Sequence, residues 1–165
     1  MIIMYRYTPV SAQLARTSLD SVPAARAVIQ GDRQHSQIRG TVRFYPAGNG
    51  TLVTAEIEGL PDTPTGIYAI HIHQGNSCSG NAEDPFADVG EHYNPTNAPH
   101  PLHAGDLLPL FGNNGFAVYS FYTERFMPGD IIGRAIIIHR DPDDFRSQPS
   151  GNAGAKIACG IISRV

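Results

Sequence analysis

Short apolar or alternating stretches, separated by turn-forming residues, run through most of the chain. Residues 36–45 alternate between polar and apolar positions and stop at Pro46, and residues 51–60 continue after a Gly- and Asn-containing turn. This pattern predicts a β-hairpin. Further strands are predicted at residues 26–31, 66–73, 115–122, 131–139 and 157–163. Since no stretch predicts a helix and no segment repeats, the pattern indicates an all-β sandwich or barrel.

Two segments interrupt this strand pattern with long loops, at residues 74–105 and 140–156. Loops of this length in a compact domain are usually functional or disordered. Residues 1–24 show no strand pattern and are predicted to form an irregular leader. One domain, residues 25–165, is expected to follow it, because this length is sufficient for a single core.

Composition supports a turn-rich β protein and excludes several function classes. The 165 residues include 17 Gly and 13 Pro, and only 16% are charged, which does not suit a helix bundle. A net charge of -3 offers no broad basic surface, so no nucleic-acid partner is expected. No apolar run approaches the roughly 20 residues of a membrane span. The N-terminal apolar patch is too short for a secretory signal, so we predict a cytoplasmic protein unless a signal was removed.

The histidines suggest what the loops do. The chain has seven, and six lie at a strand end or inside the first long loop. His71 and His73 are two residues apart in a predicted strand, so both imidazoles project from one face at a spacing that one metal ion can bridge. His139 ends another apolar strand and could supply a third imidazole. The alternative is that these are core histidines with hydrogen-bond partners.

A second group lies in the first long loop. Its pattern, H-x7-H-x2-H-x2-D, comprises His92, His100, His103 and Asp106. Three nitrogens and one carboxylate suit a closed tetrahedral zinc site, and the prolines of this segment lower the entropy cost of gathering the ligands. A polar surface loop with incidental histidines is the alternative.

The number of ligands leaves two arrangements open. Six histidines and one aspartate provide seven groups, whereas two four-coordinate sites need eight. Either one position stays open for solvent or substrate, or one imidazole binds two metals through its two ring nitrogens. The count alone does not choose between them.

Six short motifs in order resemble the copper/zinc superoxide dismutases. The motifs are HIHQ, GEHYNP, HAGDL, GRAIIIH, DPDD and GNAGAKIACG. The resemblance extends from about Ala25 to the C-terminus. It implies an all-β fold, an eight-stranded antiparallel Greek-key β-barrel or sandwich with two long functional loops.

The resemblance also implies a role for each candidate ligand. Copper and zinc are the implied cofactors, and His92 would be the imidazolate that bridges them. The other implied copper ligands are His71, His73 and His139. The other implied zinc ligands are His100, His103 and Asp106. Asp143 would link a copper-binding to a zinc-binding histidine, as an outer partner that fixes imidazole orientation; otherwise it is an ordinary turn residue.

The implied activity is the conversion of superoxide to dioxygen and hydrogen peroxide by cycling copper beside a structural zinc. His92 would also pass on a proton. Lys156 stands where the family usually has an arginine beside the copper, and it keeps the positive charge on a more flexible side chain. His92 and Lys156 are therefore the catalytic candidates, with superoxide as the small-molecule substrate.

The two cysteines, Cys78 and Cys159, match the intrasubunit disulfide of the family, although two reduced thiols would be ordinary in a reducing cytosol. The stretch from His100 to His103 and the loop at 140–156 are shorter than in the animal enzymes. Dimerisation by the animal mode is therefore in question, and monomer and homodimer both stay open.

Two other functions compete with the dismutase. One is a dismutase-like copper-binding or copper-delivery domain with little turnover, although no ligand is missing here. The other is a mononuclear zinc hydrolase, which would need an open zinc position, whereas the second group supplies four ligands.

Overall fold

The computed structural model describes residues 21–165, and it is nearly all β-structure. Residues 1–20 of the predicted leader lie outside this range, so that prediction is left untested. The nine strands are β1 (Ala25–Gly31), β2 (Arg39–Ala47), β3 (Gly50–Glu58), β4 (Ile67–Tyr68), β5 (Ile70–His73), β6 (Leu110–Phe111), β7 (Phe116–Thr123), β8 (Ala135–His139) and β9 (Lys156–Arg164). Two short 3-10 segments span Ala87–Val89 and Pro128–Ile131. Within residues 21–165, no helix has the length and hydropathy needed to cross a membrane.

Seven strands form one curled antiparallel sheet in the order β5-β8-β9-β1-β2-β3-β7, and β4 pairs with β6 in a second, small sheet. Strands that are distant in sequence are neighbours in space, as in a Greek-key connection. The predicted all-β Greek-key barrel is therefore confirmed. The hairpin predicted from residues 36–60 is β2–β3, which pair along their whole length from Arg39–Glu58 to Ala47–Gly50.

The predicted strand at 66–73 is divided into β4 and β5. At Ala69, between them, the backbone N–H donates to the carbonyl of Asp141 at 3.0 Å. The chain therefore passes from the β4–β6 pair to the β5–β8 pair at this residue. Strand β6 was not predicted, because two residues are too few for a periodic signal. Residues 131–134, predicted as strand, form the end of a 3-10 segment and a turn before β8. If β4 and β5 are counted as one interrupted strand, the described chain has the predicted eight.

The core fills the inside of the curled sheet. Its buried side chains include Ile29, Val42, Phe44, Val53, Ile57, Ile70, Ile72, Ile136, Ile138 and Ile162. Complete burial of such a side chain contributes about 1.5–3 kcal/mol. The alternation of buried and exposed residues along β1 follows from this single core.

Strand β8 is buried on both faces, which explains its continuous apolar sequence. Ile136 and Ile138 point into the main core, whereas Ile137 packs outside the barrel against Phe86, Val89 and Cys159. The loop that follows β5 therefore covers the outer face of β8. His71 is paired with Ile137 across the ladder. The outward-pointing residues of β5 and β8 are therefore buried beneath this loop.

The loop is also fixed covalently, since Cys78 and Cys159 form a disulfide. This confirms the pairing implied by the sequence. The bond joins the loop after β5 to the middle of β9 and closes a separation of 81 residues.

Removal of the disulfide is expected to lower the free energy of unfolding by about 4–5 kcal/mol, because a bridge of this span restricts the unfolded chain. Cys78→Ala is the suitable variant, since Cys78 is exposed while Cys159 is buried in the cluster around Ile137. Urea unfolding of Cys78→Ala, of the oxidised parent and of the reduced parent measures the effect. The variant should match the reduced parent; equality with the oxidised parent would contradict the prediction.

Candidate metal centre

Strands β5 and β8 supply three imidazoles to the covered outer face of the barrel. Residues alternate along β5, so Ile70 and Ile72 enter the core while His71 and His73 point outward. His139 joins them at the end of β8, where the ladder with β9 is irregular between Ile138 and His139. All three histidines are buried. The strand pattern thus brings together the residues that the sequence predicted.

Two loop segments are hydrogen-bonded to the backbone of Ile72 in β5. The Tyr93 N–H donates to the Ile72 carbonyl at 2.8 Å, and the Ile72 N–H donates to the Gly105 carbonyl at 2.9 Å. A Cβ atom at Gly105 would overlap with the Ile72 carbonyl, so only glycine allows this approach. These bonds place His92 and Asp106, the neighbours of Tyr93 and Gly105, beside the strand histidines.

The side chains form two groups, in each of which all four potential ligand atoms lie within 4.8 Å of one another. The first group contains His71, His73, His92 and His139, and the second contains His92, His100, His103 and Asp106. His92 belongs to both. Its ring centroid lies 4.1 Å from that of His71 and 5.5 Å from that of His103. The seventh histidine, His35, is elsewhere and pairs with Asp32.

The first group presents four ring nitrogens that have no hydrogen-bond partner among the described residues. These are His71 Nδ1, His73 Nε2, His92 Nε2 and His139 Nε2, and all are buried. An unsatisfied buried polar atom costs about 1–3 kcal/mol. Four together at one point indicate a cation site, which their lone pairs would satisfy.

The opposite ring nitrogens show why those lone pairs are free. His73 Nδ1–H donates to the Gly90 carbonyl at 2.8 Å, and His139 Nδ1–H donates to the Gly154 carbonyl at 3.2 Å. Because a carbonyl only accepts, each Nδ1 carries the proton and each Nε2 is left as an acceptor. In the same way, His71 Nε2–H donates to Asp143 Oδ2 at 2.9 Å. The backbone and Asp143 therefore select the tautomers needed for metal binding.

The second group converges on Asp106. Its Oδ1 lies 2.7 Å from His92 Nδ1 and 3.3 Å from His103 Nδ1, and its Oδ2 lies 3.1 Å from His100 Nδ1. Three Nδ1 atoms and one carboxylate thus surround a common point, which is the donor set of a closed tetrahedral zinc site. Because His92 contributes Nδ1 here and Nε2 to the first group, its ring separates the two points.

Asp143 joins the groups from outside. Its Oδ2 accepts from His71, and its Oδ1 accepts from His100 Nε2 at 2.9 Å. The Phe145 N–H also donates to Oδ1 at 2.7 Å. Burial alone would raise the pKa of Asp143, but the hydrogen bonds from His71, Phe145 and His100 outweigh it and hold the pKa at about 2. Asp143 is therefore an ionised acceptor for one histidine of each group.

Burial favours the neutral form of the His71, His73 and His139 imidazoles. Burial lowers the pKa of His71 and lowers that of His73 well below its ordinary value. It also lowers the pKa of His139 to about 3. For Asp106, burial alone would raise the pKa, but the histidines around it outweigh burial and lower it. Neutral imidazoles and ionised carboxylates are the forms that bind metals.

Several residues that support the second group were not predicted. Arg125 Nη1 donates to the carbonyls of Pro101, His103 and Asp106 at 3.0–3.2 Å. Gln148 Nε2–H donates to the His100 carbonyl at 2.7 Å, and its Oε1 accepts from the His100 N–H at 3.0 Å. No spacing or motif signals either contact, because each joins segments more than 18 residues apart.

The first group opens into a cavity of about 450 Å³. Its wall includes His73, His92, His139 and Lys156. The structure thus places Lys156 in the wall of the cavity that the histidines line. Its ammonium group forms a salt bridge with the Asp84 carboxylate, a partner that sequence reasoning missed.

Comparison with known proteins places the chain among copper/zinc superoxide dismutases. The model of that family matches residues 38–162. A Superoxide dismutase [Cu-Zn] of Deinococcus radiodurans is 32% identical over 80% of this chain and 81% of its own length. A Superoxide dismutase [Cu-Zn] of Onchocerca volvulus is 36% identical over 84% and 94%, respectively. An Extracellular superoxide dismutase [Cu-Zn] of Brugia pahangi is 32% identical over 90% and 79%.

The lowered imidazole pKa values predict a stability loss on acidification of the metal-free protein. Unfolded histidines bind protons below about pH 6.5, whereas folded His139 resists protonation down to about pH 3. The unfolded state therefore binds more protons in this window, and the free energy of unfolding falls as the pH falls. Urea unfolding at several pH values should show that the free energy of unfolding depends less steeply on pH in His139→Asn than in the parent. The difference in slope should be up to about 1.4 kcal/mol per pH unit. Equal slopes would contradict this.

Gly151→Ala is expected to disrupt the contacts of Asp143. Gly151 has φ +69°, and a Cβ atom there would overlap with Asp143 Oδ1 and lie against His100 Nε2. Because outer hydrogen-bond partners are worth about 10- to 100-fold in metal affinity, competition with a chelator should show zinc affinity reduced to that extent. Gly129→Ala is the control, since no atom lies within 4 Å of a Cβ at Gly129. Equal affinities in the two variants would contradict the prediction.

Proposed function

Because the chain belongs to the copper/zinc superoxide dismutase family, we propose that its two histidine-rich groups form the copper and zinc sites of that enzyme. The protein is a superoxide dismutase, which converts superoxide to dioxygen and hydrogen peroxide. The observation that carries the assignment of residues is His92, whose two nitrogens face two separate groups of ligands.

The donor atoms support one metal for each group. We assign copper to His71, His73, His92 and His139, since nitrogen-rich sites suit copper in both of its oxidation states. We assign zinc to His92, His100, His103 and Asp106, since three nitrogens and a carboxylate match a structural zinc site. When bound, copper supplies the electron transfer, and zinc supplies charge and rigidity.

The residues of the chain orient this site and handle protons. The Gly90 and Gly154 carbonyls hold His73 and His139 with Nε2 toward the cavity. Asp143 fixes His71 and His100, so both groups keep their geometry during turnover. We propose that His92 Nε2, which has no partner within residues 21–165, takes up and delivers the proton that peroxide formation needs. His92 Nδ1 stays beside Asp106.

Lys156 is proposed to attract the substrate. Superoxide is a small anion and the chain carries a net charge of -3, so attraction depends on a local positive charge. No other lysine and no arginine lines this cavity within residues 21–165. Lysine provides a point charge without the planar fork of arginine, which suits attraction better than rigid positioning.

Each chain is proposed to work as a complete unit. All seven ligands come from one chain, so a monomer and a homodimer would both be active. From the short apolar patch within residues 1–20, we propose a cytoplasmic location. Sedimentation of the metal-loaded protein and fractionation of producing cells test these two proposals separately.

The function is tested by metal analysis together with a superoxide-decay assay. Protein reconstituted with both metals should hold one copper and one zinc per chain and should accelerate superoxide decay. His73→Ala should lose copper selectively, because it removes one ligand of the first group and, unlike His71, His73 does not contact Asp143. Full copper loading without turnover would instead support the copper-binding alternative. Loading with a single metal ion per chain would overturn the two-site assignment.

A further inference from the structure

The positive charge in the cavity wall is not free. Lys156 is the only lysine of the chain, and its ammonium group is paired with Asp84. The side chains of Lys156 and Asp84 are 18% and 37% exposed, so the pair lies partly shielded from solvent. Glu91 also lines the cavity. The cavity wall therefore carries one positive group, which is paired with Asp84, and one further carboxylate.

The position of Asp84 is set by its own turn. Its Oδ1 accepts from the Phe86 N–H at 3.0 Å, and its N–H donates to Asn81 Oδ1 at 2.9 Å. The Ala87 N–H donates to the Asp84 carbonyl at 3.1 Å. One carboxylate oxygen is thus used inside the turn, while the other is directed at Lys156.

The same loop and strand are also joined by the disulfide. Cys78 lies six residues before Asp84, and Cys159 lies three residues after Lys156. The ion pair is therefore a second link between the loop after β5 and strand β9. Because the disulfide already holds the loop beside strand β9, formation of the ion pair does not carry the entropy cost of ordering a flexible loop.

We infer, building on the proposed function, that Asp84 is a positioning residue that controls anion entry. Its carboxylate holds the Lys156 ammonium group at the cavity wall and offsets its charge. An approaching anion meets a dipole in place of a free positive charge, and the field of a dipole falls faster with distance. Asp84 thus limits how strongly the cavity attracts superoxide, and it keeps the flexible lysine in place.

Asp84→Asn tests this inference directly. Asparagine keeps the oxygen that accepts from Phe86 and removes the negative charge. The rate constant for superoxide decay should rise about two- to fivefold at low ionic strength and should depend more steeply on salt, since an unpaired charge acts over a Debye length of about 10 Å at 0.1 M salt. Glu58→Gln is the matched control, because it changes the net charge equally at the Arg39 ion pair.

A second measurement is independent of turnover. Limited acetylation with acetic anhydride, followed by peptide mass spectrometry, reports on the single lysine of the chain. Lys156 should be acetylated several-fold faster in Asp84→Asn than in the parent or in Glu58→Gln. Equal acetylation, together with equal rate constants and salt slopes, would overturn the inference. If the parent shows no activity but Lys156 is acetylated faster in Asp84→Asn, the dismutase function would be overturned. The role of Asp84 in holding Lys156 would still stand.

Discussion

The structure of the site depends on the carboxylate of Asp143, which is buried between His71 and His100. Each of its oxygens accepts from one imidazole, so two loops and one strand must meet within hydrogen-bond distance of a single residue. Gly151 makes this possible, because its backbone lies where any side chain would displace the carboxylate. An ionised group in a buried position is stable only when its hydrogen bonds are complete. The histidine groups and their covering loops are consequently one interdependent unit.

The barrel provides the rigid side of this unit. Strands β5 and β8 are fixed by the core through Ile70, Ile72, Ile136 and Ile138, and their outward residues are placed accordingly. The loops provide the other side and would be costly to order without anchors. Backbone bonds to Ile72, the disulfide and Arg125 supply those anchors. The site is therefore built on the sheet and closed by loops that are fixed at several points.

Much of this could be predicted from the sequence, and the omissions have physical causes. The period-2 alternation in β2 and β3 reveals the hairpin, and the spacing of His71 and His73 reveals a shared face. The resemblance to a family indicated Asp143 and the disulfide. Arg125, Gln148 and Asp84 were missed because their contacts depend on how the loops fold, and nothing local marks them. Strand β6 was missed because two residues carry no period. The ligand count alone allowed an open position equally well, and only the resemblance indicated that His92 is shared.

The proposed sharing of His92 between two metals has a thermodynamic consequence for how the protein acquires them. An imidazole that serves two ions must give up a proton that it would otherwise keep, and the first ion to bind already orients the ring for the second. The two binding equilibria are therefore linked, and any factor by which one ion changes the affinity of the other applies equally in reverse. A cell that supplies one ion poorly would thereby also weaken retention of the other wherever that coupling is favourable. Occupancy of the two sites is thus a property of the pair, set by the availability of both ions.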